Sequence, residues 1–186
     1  GERRHLTPHE GEIRFAAGPW GPDGRGFYLL TDRDREFTGL AFYDLASGEI
    51  EPLETPEWDV QDLALSRDGR WLALVINEGG WSRLMVRDTT SGGTREYADL
   101  PRGVIGAFVF SPAGPTLGLT IARPIGPANI YILDVESGAT TRLTRSFLGG
   151  VPEAEMVEPE TVSFPSADGR QIPAFLYRPR EAQAAG

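Results

Sequence analysis

The chain has 186 residues, 40% of them hydrophobic and 24% charged, with 23 glycines, 15 prolines and no cysteine, which describes a turn-rich globular protein of one domain or slightly more. Its net charge of −9, from 27 acidic residues against 18 basic residues that are all arginine, comes with no basic cluster and argues against a nucleic-acid or anionic-membrane partner. Disulfides, thiolate zinc sites and cysteine nucleophiles are excluded, the longest apolar run, Val104 to Phe110, is far too short for a bilayer, and no basic-then-apolar leader opens the chain, so a cytoplasmic location is the expectation.

Two turn motifs then alternate along the chain. Pro22-Asp23-Gly24, Arg67-Asp68-Gly69 and Pro112-Ala113-Gly114 recur 45 residues apart. Each is followed by a second turn: Asp44-Leu45-Ala46-Ser47-Gly48, Asp88-Thr89-Thr90-Ser91-Gly92 and Asp134-Val135-Glu136-Ser137-Gly138. Between them lie β-branched and aromatic runs, Phe27 to Thr31 and Leu40 to Leu45, Trp71 to Ile76 and Leu84 to Val86, Leu117 to Ile121 and Ile130 to Val135, which read as strands of hairpins. A polar strand closes each unit, at Glu49 to Leu53, Thr94 to Tyr97 and Ala139 to Leu143.

Four antiparallel strands in about 45 residues make the blade of a β-propeller. The expected fold is therefore all-β, a partial TolB/WD40-like propeller of about three four-stranded blades over residues 12–55, 56–101 and 102–144, with a linker at 145–159 and a β-hairpin within 160–186. Residues 1–11 read as the end of a preceding blade, because His5-Leu6-Thr7 parallels Arg142-Leu143-Thr144. Three blades are too few to close a ring, so the sequence reads as the last part of a longer propeller, with self-association through open blade edges as an alternative. His5 and His9 stand four residues apart, but Pro8 between them opposes the helix a two-histidine metal site would use, and no metal or cofactor is assigned.

The segment after the linker breaks the repeat. Glu160 to Pro179 carries Phe164-Pro165-Ser166-Ala167-Asp168-Gly169 and Ile172-Pro173-Ala174-Phe175-Leu176-Tyr177-Arg178-Pro179, two strands around an Asp-Gly turn and a proline stop. A propeller ending in Leu-Thr and followed by this hairpin resembles the prolyl oligopeptidase family of serine peptidases, particularly its acylaminoacyl-peptidase-like branch. Pro19-Trp20-Gly21-Pro22-Asp23-Gly24 also resembles the repeats these peptidases share with TolB-type propellers, with Gly21 in place of the usual serine. The resemblance implies that the hairpin opens a C-terminal α/β-hydrolase domain, that the whole enzyme hydrolyses short peptides, and that the propeller restricts access. A non-enzymatic TolB-like interaction scaffold is the alternative, and it accounts for the blades but not for the hairpin.

That family places its nucleophile in a Gly-x-Ser-x-Gly elbow, with Asp and then His following. The nearest match, Gly80-Trp81-Ser82-Arg83-Leu84, lacks the second glycine, and both histidines precede it. Ser82 therefore reads as a loop serine, no catalytic residue is assigned, and the triad is expected outside these residues. The loops joining the second and third strands of each blade, Asp32 to Thr38, Asn77 to Ser82 and Arg123 to Ala128, share one face of a propeller. Loops on a stiff scaffold concentrate binding residues, so Arg33, Arg35, Glu36, Trp81 and Arg123 are the candidate site. The rim either contacts the hydrolase domain or captures a peptide terminus, with arginine gripping a carboxylate as a planar fork; the competing reading is a self-compensating charge run at Arg33 to Glu36 and a Trp81 that merely covers its blade. Trp20, Trp71, Tyr43, Tyr131 and Phe110 read as packing between blades, and Trp58 is left open between core and site.

Overall fold

A computed structural model of the chain describes residues 3–97 and 99–179; the outermost residues of the two expected terminal segments, and Ala98 of the second expected blade, lie outside these. Three sheets have four strands in simple meander order. The first is β1 (Phe15–Trp20), β2 (Gly26–Thr31), β3 (Gly39–Asp44) and β4 (Ile50–Glu54), and the second is β5 (Val60–Leu65), β6 (Trp71–Glu78), β7 (Trp81–Asp88) and β8 (Thr94–Glu96). The third is β9 (Val104–Phe110), β10 (Thr116–Arg123), β11 (Gly126–Asp134) and β12 (Thr140–Arg142), and a separate hairpin pairs β13 (Glu160–Pro165) with β14 (Gln171–Leu176). The all-β partial propeller of three antiparallel blades plus a hairpin is the observed fold.

The turn motifs account for the repeat chemically. In each Asp-x-x-Ser-Gly hairpin the aspartate Oδ1 accepts amide hydrogens two and three residues on: Ala46 and Ser47 donate to Asp44 at 2.8 and 3.0 Å, Thr90 and Ser91 to Asp88 at 2.8 and 3.2 Å, Glu136 and Ser137 to Asp134 at 3.1 and 2.7 Å. The serine hydroxyl then accepts the amide of Glu49, Gly93 or Ala139, each at 3.2 Å. The glycine between them adopts a positive φ, 75°, 76° and 82° for Gly48, Gly92 and Gly138, where a Cβ would be strained. The five-residue sequence Ser-x-Asp-Gly-Arg occurs twice, at Ser66–Arg70 in the second blade and at Ser166–Arg170 in the hairpin, and in both the serine hydroxyl donates to the aspartate while the arginine amide donates to the same oxygen.

Among the described residues the chain forms two compact units. The first runs to Glu78 and takes in Arg83–Tyr97 and Phe110–Pro115; the second has Gly79–Ser82, the segment that follows Tyr97 up to Val109, and the chain from Thr116. In the first unit, strand alternation turns Tyr28, Leu30 and Leu40 of the first sheet toward Val60, Leu72, Leu74 and Ile76 of the second, forming one buried cluster. Trp58 packs against this cluster, so it is core. An ion pair between Arg87 and Glu54, both mostly buried, ties the same two sheets together. The opposite face of the first sheet buries Leu29, Ala41 and Tyr43 with Leu6 and Phe15 packed on it.

Several expectations are corrected. Asn77 to Ser82 and Arg123 to Ala128 are not loops: β6 and β7 extend to leave a two-residue turn at Gly79-Gly80, and β10 and β11 leave only Pro124-Ile125. Gly79 and Gly80 have φ of 60° and 91°, the pair of positive values that a mirror-image two-residue hairpin requires, so the glycines mark a tight turn where a loop was expected. Ser82 accordingly lies in β7. Trp20 is 59% exposed and meets only the edge of Phe27 among ring contacts of the described residues, so it is not packed between the described blades, whereas Tyr43, Tyr131 and Phe110 are buried.

Candidate functional site

The Asp32–Thr38 connection is the one long loop of the expected rim. Asp34 takes a left-handed φ of 60°, a conformation that aspartate tolerates better than most residues. Arg33, itself exposed, pairs with Asp34 at 3.4 Å, an interaction worth little in water. Arg35 folds back instead: its guanidinium donates to the carbonyl of Pro56 and lies over Gly39, where a Cβ would sit 2.2 Å from Arg35 Nη1 and 2.7 Å from the Glu54 carbonyl. Arg35 thus locks the loop to the chain leading into the second blade, together with the Thr38 amide, which donates to Asp59 at 2.8 Å. Glu36 is exposed. A cleft of about 380 Å³ lies beside the loop, lined by Thr31, Arg33, Arg35, Ala41, Ile50 and Pro52 among others.

Trp81 and Arg123 belong to the second unit. The Trp81 indole N–H donates to Thr161 Oγ1 at 3.2 Å and its ring meets Phe175 at 4.7 Å between centroids, tilted by 57°. Arg102 lies 4.2 Å over the Trp81 ring and donates to the same Thr161 hydroxyl at 3.3 Å. Trp81 is therefore a contact of the β13–β14 hairpin. The Arg123 guanidinium donates to Glu153 at 2.9 Å and to Glu158 at 2.8 Å, and Arg142 adds a second cation to Glu153 at 3.6 Å. Its fork holds two carboxylates of the connecting segment, bringing the chain between the third blade and the hairpin to one end of β10.

Ser82 is occupied structurally. Its amide donates to the Gly103 carbonyl at 2.9 Å and its hydroxyl accepts the Ile105 amide at 2.9 Å. His9 donates a ring N–H to the Thr7 carbonyl at 2.8 Å and packs on Phe15. Among the described residues no three histidine, aspartate or glutamate side chains converge as a metal ion would require, and no helix is long and apolar enough to cross a membrane.

Thus the structure groups Arg33, Arg35 and Glu36 on one loop of the first unit, and in the second it gives Trp81 and Arg123 separate roles at the hairpin and at the connecting segment. Arg102, Thr161, Phe175, Glu153 and Glu158 were missed. Their partners lie between 30 and 80 residues away for the bonds of Arg123 to Glu153 and Trp81 to Thr161, and no local motif marks such pairs.

No protein-family profile and no curated protein sequence matches the chain. Solved structures do. A puromycin hydrolase is similar over 95% of this chain and 27% of its own, at 25% identity and a TM-score of 0.79. Prolyl oligopeptidase B from Galerina marginata, bound to a 35mer hydrolysis and macrocyclization substrate, is similar over 96% of this chain and 25% of its own, at 15% identity and a TM-score of 0.79. A Mycobacterium tuberculosis puromycin-hydrolyzing peptidase matches 87% of this chain and 25% of its own, at 20% identity and a TM-score of 0.73. The chain spans about a quarter of the length of these proteins. It resembles the propeller portion, with the hairpin that follows, of prolyl-oligopeptidase-like peptidases.

Proposed function

We propose that these residues are the access-controlling propeller portion of a prolyl-oligopeptidase-like serine peptidase, of the acylaminoacyl-peptidase-like branch, that hydrolyses short peptides. The observation that carries the proposal is the order of parts from the third blade onward: a complete four-stranded sheet, a segment gripped by Arg123, then a two-stranded hairpin out of phase with the repeat. The similarity to the puromycin hydrolase runs through all of these parts at 95% coverage. The hairpin itself supports the reading. Two strands alone are marginal in water, and Phe164 and Ile172, which face each other across the hairpin, are 51% and 39% exposed. This is the face that the remainder of a hydrolase domain would cover.

In this reading the blades do no chemistry. The nucleophile, acid and histidine are supplied by the domain that the hairpin opens, and acyl transfer proceeds there. The propeller narrows the approach, and an incoming peptide meets Arg33 and Glu36 on the β2–β3 loop, while Arg35 holds the loop. The test is the polypeptide extended along its reading frame on both sides, treated with a fluorophosphonate probe and assayed on short peptidyl substrates. Labelling of a serine beyond residue 186 and hydrolysis by the extended polypeptide, with the 186-residue chain inert, is the expected result. A reading frame that continues into another complete blade after Pro179, without a Gly-x-Ser-x-Gly elbow, would refute it and favour an interaction scaffold.

A further inference from the structure

We infer that Trp81 and Arg102 form a clamp that fixes the β13–β14 hairpin, and are positioning residues for the domain it opens; the second half of this inference rests on the reading of that hairpin given above. Thr161 and Phe175 are direct cross-strand partners, so they stand side by side on one face of the hairpin. The clamp seizes both. Trp81 donates to the Thr161 hydroxyl and lays its ring against Phe175, while Arg102 donates to the same hydroxyl and covers the indole. A hydroxyl oxygen has two lone pairs, enough to accept from both donors at once.

The clamp is assembled without help from the hairpin. Ser82 beside Trp81 binds the carbonyl of Gly103 and the amide of Ile105, so the backbone next to Arg102 is stitched to the strand that carries Trp81. Gly103 permits this, since a Cβ there would stand 2.5 Å from the Ala122 carbonyl. Gly80, at φ +91°, leaves the space that the Phe175 ring enters, and a Cβ would sit 2.9 Å from its Cζ. In this inference Trp81 and Arg102 act through the hairpin. Their effect is on how freely the hairpin, and the domain continuing from it, departs from the propeller, and hence on the size of peptide admitted.

Hydrogen exchange of the amides of residues 160–176 tests the clamp in the chain itself. A tilted aromatic pair, an exposed cation–π contact and two hydrogen bonds together correspond to roughly tenfold or greater protection. Trp81→Ala and Arg102→Ala are expected to accelerate exchange in the hairpin by roughly that factor while β2 and β6 keep their protection, and Trp81→Phe, which retains the ring contacts, falls between. Arg102 is exposed, so Arg102→Ala keeps the test valid should Trp81→Ala unfold. Hairpin exchange within about twofold of the parent in both alanine variants overturns the clamp. In the extended polypeptide, Arg102→Ala is expected to leave kcat on a short chromogenic ester within about twofold, and to change the ratio of kcat/KM for a long peptide over a short one by about fivefold or more. An unchanged ratio overturns the positioning role. Absence of hydrolysis by the parent extended polypeptide overturns the enzymatic reading and the access role with it, and the exchange result alone then decides the clamp.

Discussion

Leu40, Leu84 and Ile130 each stand four residues before the aspartate of their blade's Ser-Gly turn, Asp44, Asp88 and Asp134, so by sequence they are one position repeated three times. Their exposures are 1%, 3% and 43%. Replacing either Leu84 or Ile130 by alanine removes about three methylene equivalents, or ~2.4 kcal/mol of transfer free energy at ~0.8 kcal/mol each. At Leu84 all of this is lost and the cavity left behind adds to it, for a total of about 3–4 kcal/mol. At Ile130 a little under half of the side chain is already in water, leaving about 1.4 kcal/mol and no enclosed cavity. The difference of about 2 kcal/mol corresponds to roughly 4–8 °C in Tm for a chain of this size. Urea unfolding and thermal melts followed by circular dichroism, at matched protein concentration, measure it directly. Equal losses in Leu84→Ala and Ile130→Ala would refute the reasoning, and a Tm that rises with protein concentration would identify association as the cover over Ile130.

Acid should destabilise the fold through its turns. Hydrogen bonds from the Ser47 and Ala46 amides hold Asp44 below the usual carboxylate range, as do the amide and hydroxyl of Ser137 for Asp134 and the hydroxyls of Ser66 and Ser166 for Asp68 and Asp168; at Asp88 burial pushes upward but the Ser91 and Thr90 amides and Arg70 outweigh it. Each native carboxyl binds its proton less readily than the unfolded one does, so the stabilisation is complete above about pH 5 and fades as pH falls through about 4 and below. A urea midpoint that stays flat from about pH 5 to about pH 3 would contradict this, and Asp134→Asn should shallow the slope while keeping the turn. Gly24 and Gly69 occupy the same turn at φ of 70° and 75°, but a Cβ on Gly24 meets nothing within 4 Å whereas one on Gly69 lies 2.5 Å from the Pro22 ring. Gly24→Ala should therefore cost about 1–2 kcal/mol, and Gly69→Ala about 1–3 kcal/mol more; equal urea midpoints for the two variants would show that Pro22 moves aside freely.

The sequence by itself determined the blades, their turns and the break in phase at the hairpin. The interactions responsible span two to five residues, as when Asp44 accepts from Ala46 and Ser47 or Gly48 donates to the Asp44 carbonyl, so a local motif contains the whole cause. The Gly79-Gly80 turn was misread because glycine suits both an open loop and a two-residue mirror-image turn, and only the pairing of β6 with β7 distinguishes them. The candidate site was legible as a set of loops but not as a set of roles. Whether Arg123 is free for a ligand or spent on Glu153 and Glu158, and whether Trp81 covers its blade or holds a hairpin 80 residues away, depends on which surfaces the tertiary fold brings together. Burial is decided the same way, which is why Leu84 and Ile130 share a motif and differ in exposure. A strand's alternation states which side chains point to each face, and only the neighbour on that face decides whether they are buried.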